Sequence, residues 1–179
     1  TAAGGTSLNT TGTLPIDPRT DWTDPASGIA SSTLTRRSAT LTNNVCGTYG
    51  AATTLTGTPA QTGLATSCYL FTLTGTDRAG NVSTISTTVK VDRALPVTGA
   101  LTVNGTAASA AGTSSASVSG SWIIVRTDFT DANSGLASST LTREFATRSG
   151  ATCGTFGAPT VLTGAPAQSG LPVGCYRYT

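Results

Sequence analysis

The chain of 179 residues contains one sequence twice. Residues 19–72 align without a gap with residues 126–179, and 33 of the 54 aligned positions are identical. The period of roughly 107 residues is too long for the short repeats of a solenoid, and it matches a whole β-sandwich domain of about 100 residues. We call these segments the first copy and the second copy, and we expect each to represent one domain of a repeating chain.

Composition and local pattern both favour an all-β fold. Thr (38 residues) and Ser (19 residues) together make up about a third of the sequence, whereas Lys and Glu, which favour helices, total two. Short runs rich in Thr, Val, Ile and aromatic residues lie between Gly, Asn, Asp and Pro. This arrangement is typical of strands joined by turns.

The sequence CYLFTL at positions 68–73 predicts a strand with one buried face, because side chains alternate across a strand. The position of Leu70 is occupied in the second copy by Arg177, so this side of the strand is expected to face outward. The expected buried set is Tyr69, Phe71, Leu73, Tyr176 and Tyr178.

The residues around Trp122 also alternate, and extending the ungapped alignment predicts which face of this strand is buried. The inward set is Ile123, Val125 and Phe129, matched in the first copy by Ile16, Pro18 and Trp22. The outward set is Trp122, Ile124 and Arg126, matched by Pro15, Asp17 and Arg19. Polar residues and Pro at the matched positions favour this assignment.

The segment Asp77–Asn81 predicts a turn in which Gly80 and Asn81 suit a positive φ. The residues that follow, 82–91, alternate again and complete a β-hairpin. Their expected inward set is Ile85, Val89 and Val91.

A family resemblance rests on three motifs in a fixed order: D-x-x-S-G-I/L-A-S, then an aromatic strand ending in T-G-T-D-R-A-G-N-V-S, then T-V-K-V-D. This order resembles the bacterial immunoglobulin-like (Ig-like) domains that are strung in tandem along large secreted and cell-surface proteins, such as adhesins and fibre stalks. The resemblance implies an all-β fold of tandem Ig-like antiparallel β-sandwiches with a repeat of about 107 residues, the size of one such domain. It carries over no catalytic residue.

Within this resemblance the natural domain boundary falls near Asp92 and Arg93. Residues 1–92 then form an Ig-like repeat that lacks its first strand, and residues 93–179 form one that lacks its last strand and a half. A sandwich that lacks strands exposes unpaired edges, so we expect these residues to belong to a longer repeating chain or array. The alternative is strand donation between subunits, as in pilin-like assembly.

The four cysteines lie at equivalent positions in the two copies, Cys46 with Cys68 and Cys153 with Cys175. One pair per copy at the same spacing predicts two intradomain disulfides formed in an oxidising compartment. A two-cysteine metal site is the alternative, but it lacks His and a C-x-x-C motif. Cys68 is out of phase with Tyr69, so the bridge is expected to lie off the core face.

Some relatives of the resembled family hold calcium with Asp side chains near domain junctions. The resemblance therefore makes Asp24, Asp92 and Asp131 candidate calcium ligands, although calcium requires six to eight oxygen atoms. The alternative is that Asp24 and Asp131 begin turns before Ser-Gly and that Asp92 ends a strand. No other metal or cofactor is expected.

Several function classes are excluded by composition. The absence of His excludes Ser-His-Asp and Cys-His catalysis and the HExxH zinc site, and we expect no enzyme activity. A net charge of +2 does not form the basic surface of a nucleic-acid binder. No apolar run approaches the ~20 residues of a membrane span.

The expected function is a structural array of repeats at the bacterial cell surface or outside the cell, which forms or extends a stalk or filament. Its expected partners are neighbouring copies of the same repeat or subunit. The alternative is an adhesive module that binds carbohydrate or a protein on a cell surface. Identity between the copies is spread over core, turns and surface, and this distribution favours the array.

Overall fold

The computed structural model describes residues 6–16, 19–57 and 60–179. Every regular element in these ranges is a β-strand, and no described residue belongs to a helix long and apolar enough to cross a membrane. The strands form several sheets and pair mostly in antiparallel fashion. The predicted all-β class is confirmed, and the architecture is compatible with a β-sandwich.

The chain divides into two compact units. The first unit contains Thr1–Leu95 together with the short segment Asp131–Gly135, and the second contains Pro96–Thr130 and Leu136–Thr179. The boundary expected near Asp92 stays a prediction about the repeating chain.

The first unit is built mainly on one five-stranded sheet. Its strands are β1 (Thr6–Asn9), β2 (Ile29–Ala39), β3 (Leu41–Thr42), β4 (Val45–Cys46), β5 (Thr53–Leu55), β6 (Ser67–Asp77) and β7 (Val82–Val91). The sheet order is β1-β7-β6-β2-β5. Neighbours are antiparallel except β1, which runs parallel to β7, and β3 and β4 form a separate hairpin.

The second unit contains three smaller sheets in its described residues. Its strands are β8 (Ala100–Val103), β9 (Thr106–Ala107), β10 (Ile124–Thr127), β11 (Leu141–Ala146), β12 (Arg148–Ser149), β13 (Thr152–Cys153), β14 (Thr160–Leu162) and β15 (Cys175–Tyr178). The sheet orders are β10-β8-β9, β14-β11-β15 and β12-β13.

Alternation along β6 and β7 buries the predicted face of the first unit. Tyr69, Phe71 and Leu73 are buried together with Val89 and Val91, so the assignment of these five residues is confirmed. The same cluster also contains Leu14, Leu34 and Leu64. The predicted turn between β6 and β7 is also present, and Gly80 adopts a φ of 92° in it, whereas the positive φ expected for Asn81 is not found.

The inward prediction for Ile85 is wrong, because its side chain is 45% exposed. Ile85 lies opposite Leu73 in the register of β6 and β7. However, β1 pairs only with the stretch Thr88–Val91 of β7. Ile85 therefore lies on a part of β7 that has no further strand beside it in the described chain.

Strand registers recur between the two units at the offset of the gapless alignment. Leu34 of β2 lies opposite Leu55 of β5, and Leu141 of β11 lies opposite Leu162 of β14. The pairing of β2 with β6 is likewise repeated by β11 with β15. The sequence repeat is therefore reproduced in these strands.

Just before the two copies begin, structurally equivalent residues are one position further apart in the sequence than the gapless alignment places them. The backbone N–H of Leu14 donates to Gln61 and that of Gln61 donates back, both at 2.9 Å. In the second unit the same reciprocal pair joins Trp122 and Gln168, at 3.0 and 2.9 Å. The gapless alignment would have placed Ser121, not Trp122, opposite Gln168.

This one-residue difference overturns the predicted faces of the strand around Trp122, since a slip of one residue turns every side chain to the other face. Ile124 is 3% exposed, whereas Ile123 is 68% exposed. Val125 is also exposed. The inward prediction for Phe129 is wrong too, since this residue is 48% exposed, but it lies after the copies begin and the slip does not account for it. The ring of Trp122 packs edge-on against Tyr176 and Tyr178, with centroids 5.3 and 6.3 Å away. The matched residues Asp17 and Pro18 lie outside the described residues.

Candidate interaction site

The structure forms both predicted disulfides. The Cα atoms are 5.7 Å apart in the Cys46–Cys68 bridge and 5.8 Å apart in the Cys153–Cys175 bridge. Cys68 is fully buried, but it belongs to a small cluster with residues of β2 and β3 rather than to the cluster that contains Tyr69. The prediction that the first bridge lies off the main core face is confirmed.

The most informative site in the first unit is the place where it holds the segment Asp131–Gly135. The backbone N–H of Asn43 donates to the carbonyl of Ala132 at 2.9 Å, and the N–H of Asn44 donates to the carbonyl of Asn133 at 2.7 Å. The segment comes from the second copy in sequence, yet it belongs to the first unit in space. These two bonds use backbone atoms alone.

A third bond in this site comes from Asp92, at the end of β7. Its Oδ2 accepts the backbone N–H of Ser134 at 2.9 Å, and its Oδ1 accepts the N–H of Ala94 at 3.0 Å. Burial of the carboxyl group acts to raise the pKa of Asp92, but the hydrogen bonds from Ser134 and Ala94 outweigh it and hold the pKa below the ordinary value of 3.8. Asp92 is therefore held as a buried carboxylate by hydrogen bonds from the side chain and backbone of Ser134 and from the backbone of Ala94.

The hairpin of β3 and β4 presents the two amides of this site. Asn43 and Asn44 both have positive φ, 46° and 62°, as a two-residue type I′ turn requires, and Asn tolerates this conformation better than most residues. Nζ of Lys90 donates to the carbonyl of Asn44 at 2.6 Å and to its Oδ1 at 3.0 Å. This turn is absent from the sequence-based predictions, although an Asn-Asn pair between two strand-like residues is a hairpin signal.

Asp24 and Asp131 begin equivalent turns. Oδ1 of Asp24 accepts the N–H of Ala26 at 2.8 Å, and Oδ1 of Asp131 accepts the N–H of Asn133 at 2.8 Å. The hydroxyl of Ser27 donates to Oδ2 of Asp24 at 2.6 Å. This hydroxyl is the main reason that the pKa of Asp24 is lowered, and the N–H of Ala26 adds to the effect.

The three calcium candidates accept backbone hydrogen bonds at separate turns and strand ends, as described above. In the ranges covered by the structure, no three Cys, Asp or Glu side chains form a group that could hold a metal ion. A calcium role for Asp24, Asp92 or Asp131 stays a prediction.

A largely covered arginine pairs with a carboxylate in both units. Nε of Arg19 donates to Asp21 at 2.7 Å, and Arg126 forms the same ion pair with Asp128. Each guanidinium also donates to the carbonyl of a serine 13 residues further along the chain. The outward assignment of these arginines is not borne out by their exposure. Their side chains are largely covered, and the ion pairs and hydrogen bonds offset the cost of taking each charge out of water.

A second pair of equivalent contacts joins an arginine to a buried glutamine. Nη1 of Arg36 donates to Oε1 of Gln61 at 2.5 Å, and Nη1 of Arg143 donates to Oε1 of Gln168 at 2.7 Å. Both glutamines are buried. The guanidinium groups also lie over tyrosine rings, 5.6 Å from the centroid in the first unit and 5.9 Å in the second.

A cavity of about 220 Å³ in the first unit lies beside the Asp24 turn. Trp22, Asp24, Asp77 and Asn81 are among its lining residues. Nε1 of Trp22 is buried and has no hydrogen-bond partner within the described ranges. Asp77 is already occupied, since its two oxygens accept the backbone and side-chain N–H groups of Asn81, both at 2.7 Å.

The chain matches no protein-family model, no curated protein and no solved structure.

Proposed function

We propose that the chain is part of a structural extracellular array of Ig-like β-sandwich repeats, which forms or extends a stalk or filament and carries out no catalysis. Each repeat contributes most of one compact β-unit, and neighbouring repeats along the chain are its main partners. A bacterial cell surface is the proposed location, in line with the family that the sequence motifs resemble.

The observation that carries the proposal is that internal contacts of the scaffold are duplicated. The Arg36–Gln61 and Arg143–Gln168 bonds are equivalent, and so are the arginine–carboxylate pairs at Arg19 and Arg126. An array of similar repeats requires that each repeat keep the internal contacts that stabilise it. The duplication seen here affects such internal contacts and not one set of exposed loops.

The Ig-like part of the proposal is supported by two tyrosines. The hydroxyl of Tyr69 donates to the carbonyl of Ala65 at 3.1 Å, and that of Tyr176 donates to the carbonyl of Pro172 at 2.7 Å. A tyrosine that bonds to the backbone a few residues upstream at the start of a strand is a hallmark of Ig-like sandwiches, the tyrosine corner. In antibody domains this Tyr precedes the cysteine by two residues, whereas here it follows the cysteine directly.

An extracellular location is supported by the two disulfides, because such bonds form and persist in oxidising compartments. With both bridges formed, the described chain has no free cysteine. The described chain therefore carries no free thiol that could be oxidised or could exchange with these bridges.

Negative-stain electron microscopy of the native material tests the array. We expect extended fibres or stalks with a regular repeat, and discrete compact particles would contradict the proposal. The matched control is the same material after reduction and alkylation, since loss of the disulfides should weaken the units and disorder the fibres.

A second candidate, an adhesive module, is favoured by the cavity beside Trp22. Aromatic and carboxylate groups line it, although its volume of about 220 Å³ is below the usual range for ligand pockets. A glycan array with the purified chain tests this candidate. Saturable binding that Trp22→Ala abolishes would support adhesion, and binding unaffected by the substitution would place the ligand elsewhere.

A further inference from the structure

We propose that the segment Asp24–Gly28 docks onto a further copy of this repeat that precedes it. It would do so as Asp131–Gly135 is held in the first unit, against a hairpin equivalent to Asn43–Asn44 and a carboxylate equivalent to Asp92. The inference rests on the proposed array and names the surface through which successive repeats bind each other.

The two segments have the same local structure. Both begin with an Asp whose Oδ1 accepts the N–H two residues further on at 2.8 Å. Both end with a glycine in the left-handed region, Gly28 with a φ of 81° and Gly135 with a φ of 83°. Because the first-copy segment already has the shape of the docked one, little conformational entropy would be lost on docking.

The docked segment is recognised through backbone atoms, so the sequence differences between the copies do not interfere. The atoms used are the carbonyl oxygens of Ala132 and Asn133 and the N–H of Ser134. The first copy has Pro25 in place of Ala132 and Ala26 in place of Asn133. Proline lacks an N–H but retains its carbonyl oxygen, and the carbonyl is the atom that docking requires.

The corresponding atoms of the first copy are available. Within the part of the chain that the structure describes, the carbonyl oxygens of Pro25 and Ala26 accept no hydrogen bond, and both residues are exposed. The N–H of Ser27 makes a long contact of 3.4 Å with its own Asp24. In the docked segment the equivalent N–H of Ser134 instead bonds to Asp92 at 2.9 Å.

An extended chain in which residues 1–107 are added before residues 1–179 supplies a preceding copy. It places Asp24 at the same distance along the chain from the added Asp92 as Asp131 lies from the native Asp92. We expect amide hydrogen exchange at Ser27 to slow about tenfold or more relative to the 179-residue chain. The reason is that the N–H of Ser27 would then be bonded to a buried carboxylate, and this bond must break before the amide can exchange. Equal Ser27 exchange in both chains, with Ser134 still protected, would overturn the inference.

A matched control is Asp92→Ala in the added copy alone. It should return Ser27 to its rate in the 179-residue chain and leave Ser134, which bonds to the other Asp92, unchanged. Loss of protection at Asn43, Asn44 and Ser134 in the unmodified 179-residue chain would be a different failure. It would contradict the contact from which the inference is drawn, whereas the proposed array, which rests on duplicated internal contacts, is tested separately by microscopy.

A second variant covers the case in which the extended chain does not fold. Ala132→Pro combined with Asn133→Ala turns the docked segment of the 179-residue chain into the first-copy sequence. We expect Asn43, Asn44 and Ser134 to keep their protection to within about twofold, because the bonds use backbone atoms. Asp131→Ala, which removes the turn, is the reference for full loss of protection. If the double variant loses as much protection as Asp131→Ala, the inference is overturned.

Discussion

The carboxylate of Asp92 accepts the backbone N–H of Ser134, 42 residues further along the chain, at a distance of 2.9 Å. Asp92 is 5% exposed, so its charge is offset by the amide hydrogen bonds that it accepts rather than by water. The bond joins the end of β7 to the segment Asp131–Gly135 within the first unit, and its strength depends on the ionisation of one side chain.

This dependence predicts a pH effect. The pKa of Asp92 in the folded chain is below its ordinary value of 3.8, so the carboxylate stabilises the fold above that value and this contribution is lost as the pH falls through the folded-state pKa. We expect the amide nitrogen shift of Ser134 to stay constant between about pH 5 and 7 and to change below about pH 4. Asp92→Asn is the control, and a titration that survives in this variant would contradict the assignment.

The two disulfides should differ in their rates of reduction. In the first bridge Cys68 has no exposed surface and Cys46 is half-buried, whereas in the second bridge Cys153 is exposed and Cys175 is half-buried. Thiolate attack requires access to a sulfur atom, so we expect a mild reductant to open Cys153–Cys175 first. Timed alkylation followed by peptide mass mapping measures the order, and equal rates would show that global unfolding precedes reduction of both.

Removal of either bridge should also destabilise its unit. In the chain-entropy model a loop of this length is worth about 3 kcal/mol. We expect Cys153→Ala combined with Cys175→Ala to lower the free energy of unfolding by about that amount, and the corresponding change at Cys46 and Cys68 to cost more because it also leaves a cavity. Urea unfolding followed by tryptophan fluorescence measures both, with the intact chain as reference.

Trp22→Phe should leave the first unit as stable as before, or more stable by about 1 kcal/mol, because it removes an unpaired buried donor. The buried Nε1 of Trp22 has no partner among the described residues, and an unpaired buried donor costs about 1–3 kcal/mol. Phenylalanine removes this cost, but its smaller ring buries less apolar area, which offsets part of the gain. The second copy already has Phe129 at this position. Urea unfolding checks the result, with Phe129→Trp as the matched control. A loss above about 2 kcal/mol would contradict the role assigned to Nε1.

Arg36→Met should lower the free energy of unfolding of the first unit by about 1–2 kcal/mol, since it removes a charged hydrogen bond to a buried side chain. The substitution removes the donor at 2.5 Å from Oε1 of Gln61, and a buried acceptor that loses a charged donor is costly. Arg143→Met removes the equivalent bond to Gln168 and should cost less, because the hydroxyl of Tyr178 still donates to the same oxygen at 3.1 Å. Exposed Arg37→Met is the control, and an equal effect there would show that general charge, rather than this bond, is responsible.

Local pattern was enough to predict the buried face of β6, the turn at Gly80 and both cysteine pairs. Each of these depends on residues close in sequence or on one repeated spacing. The site around Asp92 could not be predicted in this way. Its bonds join backbone atoms of Asn43 and Ala132, which carry no side-chain signature, across many residues of intervening chain.

The error around Trp122 has a more specific cause. Gapless identity between the copies is strong from Arg19 onward, but the equivalence does not extend unchanged to the residues before it. The stretch from Leu14 to Arg19 is one residue longer than the stretch from Trp122 to Arg126. The contacts of the two arginines are therefore equivalent, but side chains matched by the gapless alignment before them point to opposite faces. Charge was also a poor guide, because both arginines satisfy their donors while they are largely covered.

The same additional residue shows which part of the repeat tolerates a change in length. Leu14 and Trp122 make the same reciprocal backbone pair with Gln61 and Gln168, although the stretch that leads on to the arginine is one residue longer in the first copy. Both arginines nevertheless donate to equivalent serine carbonyls. The contacts on either side of this stretch are therefore kept while its length differs, so an inserted residue is accommodated here without loss of the paired segments around it.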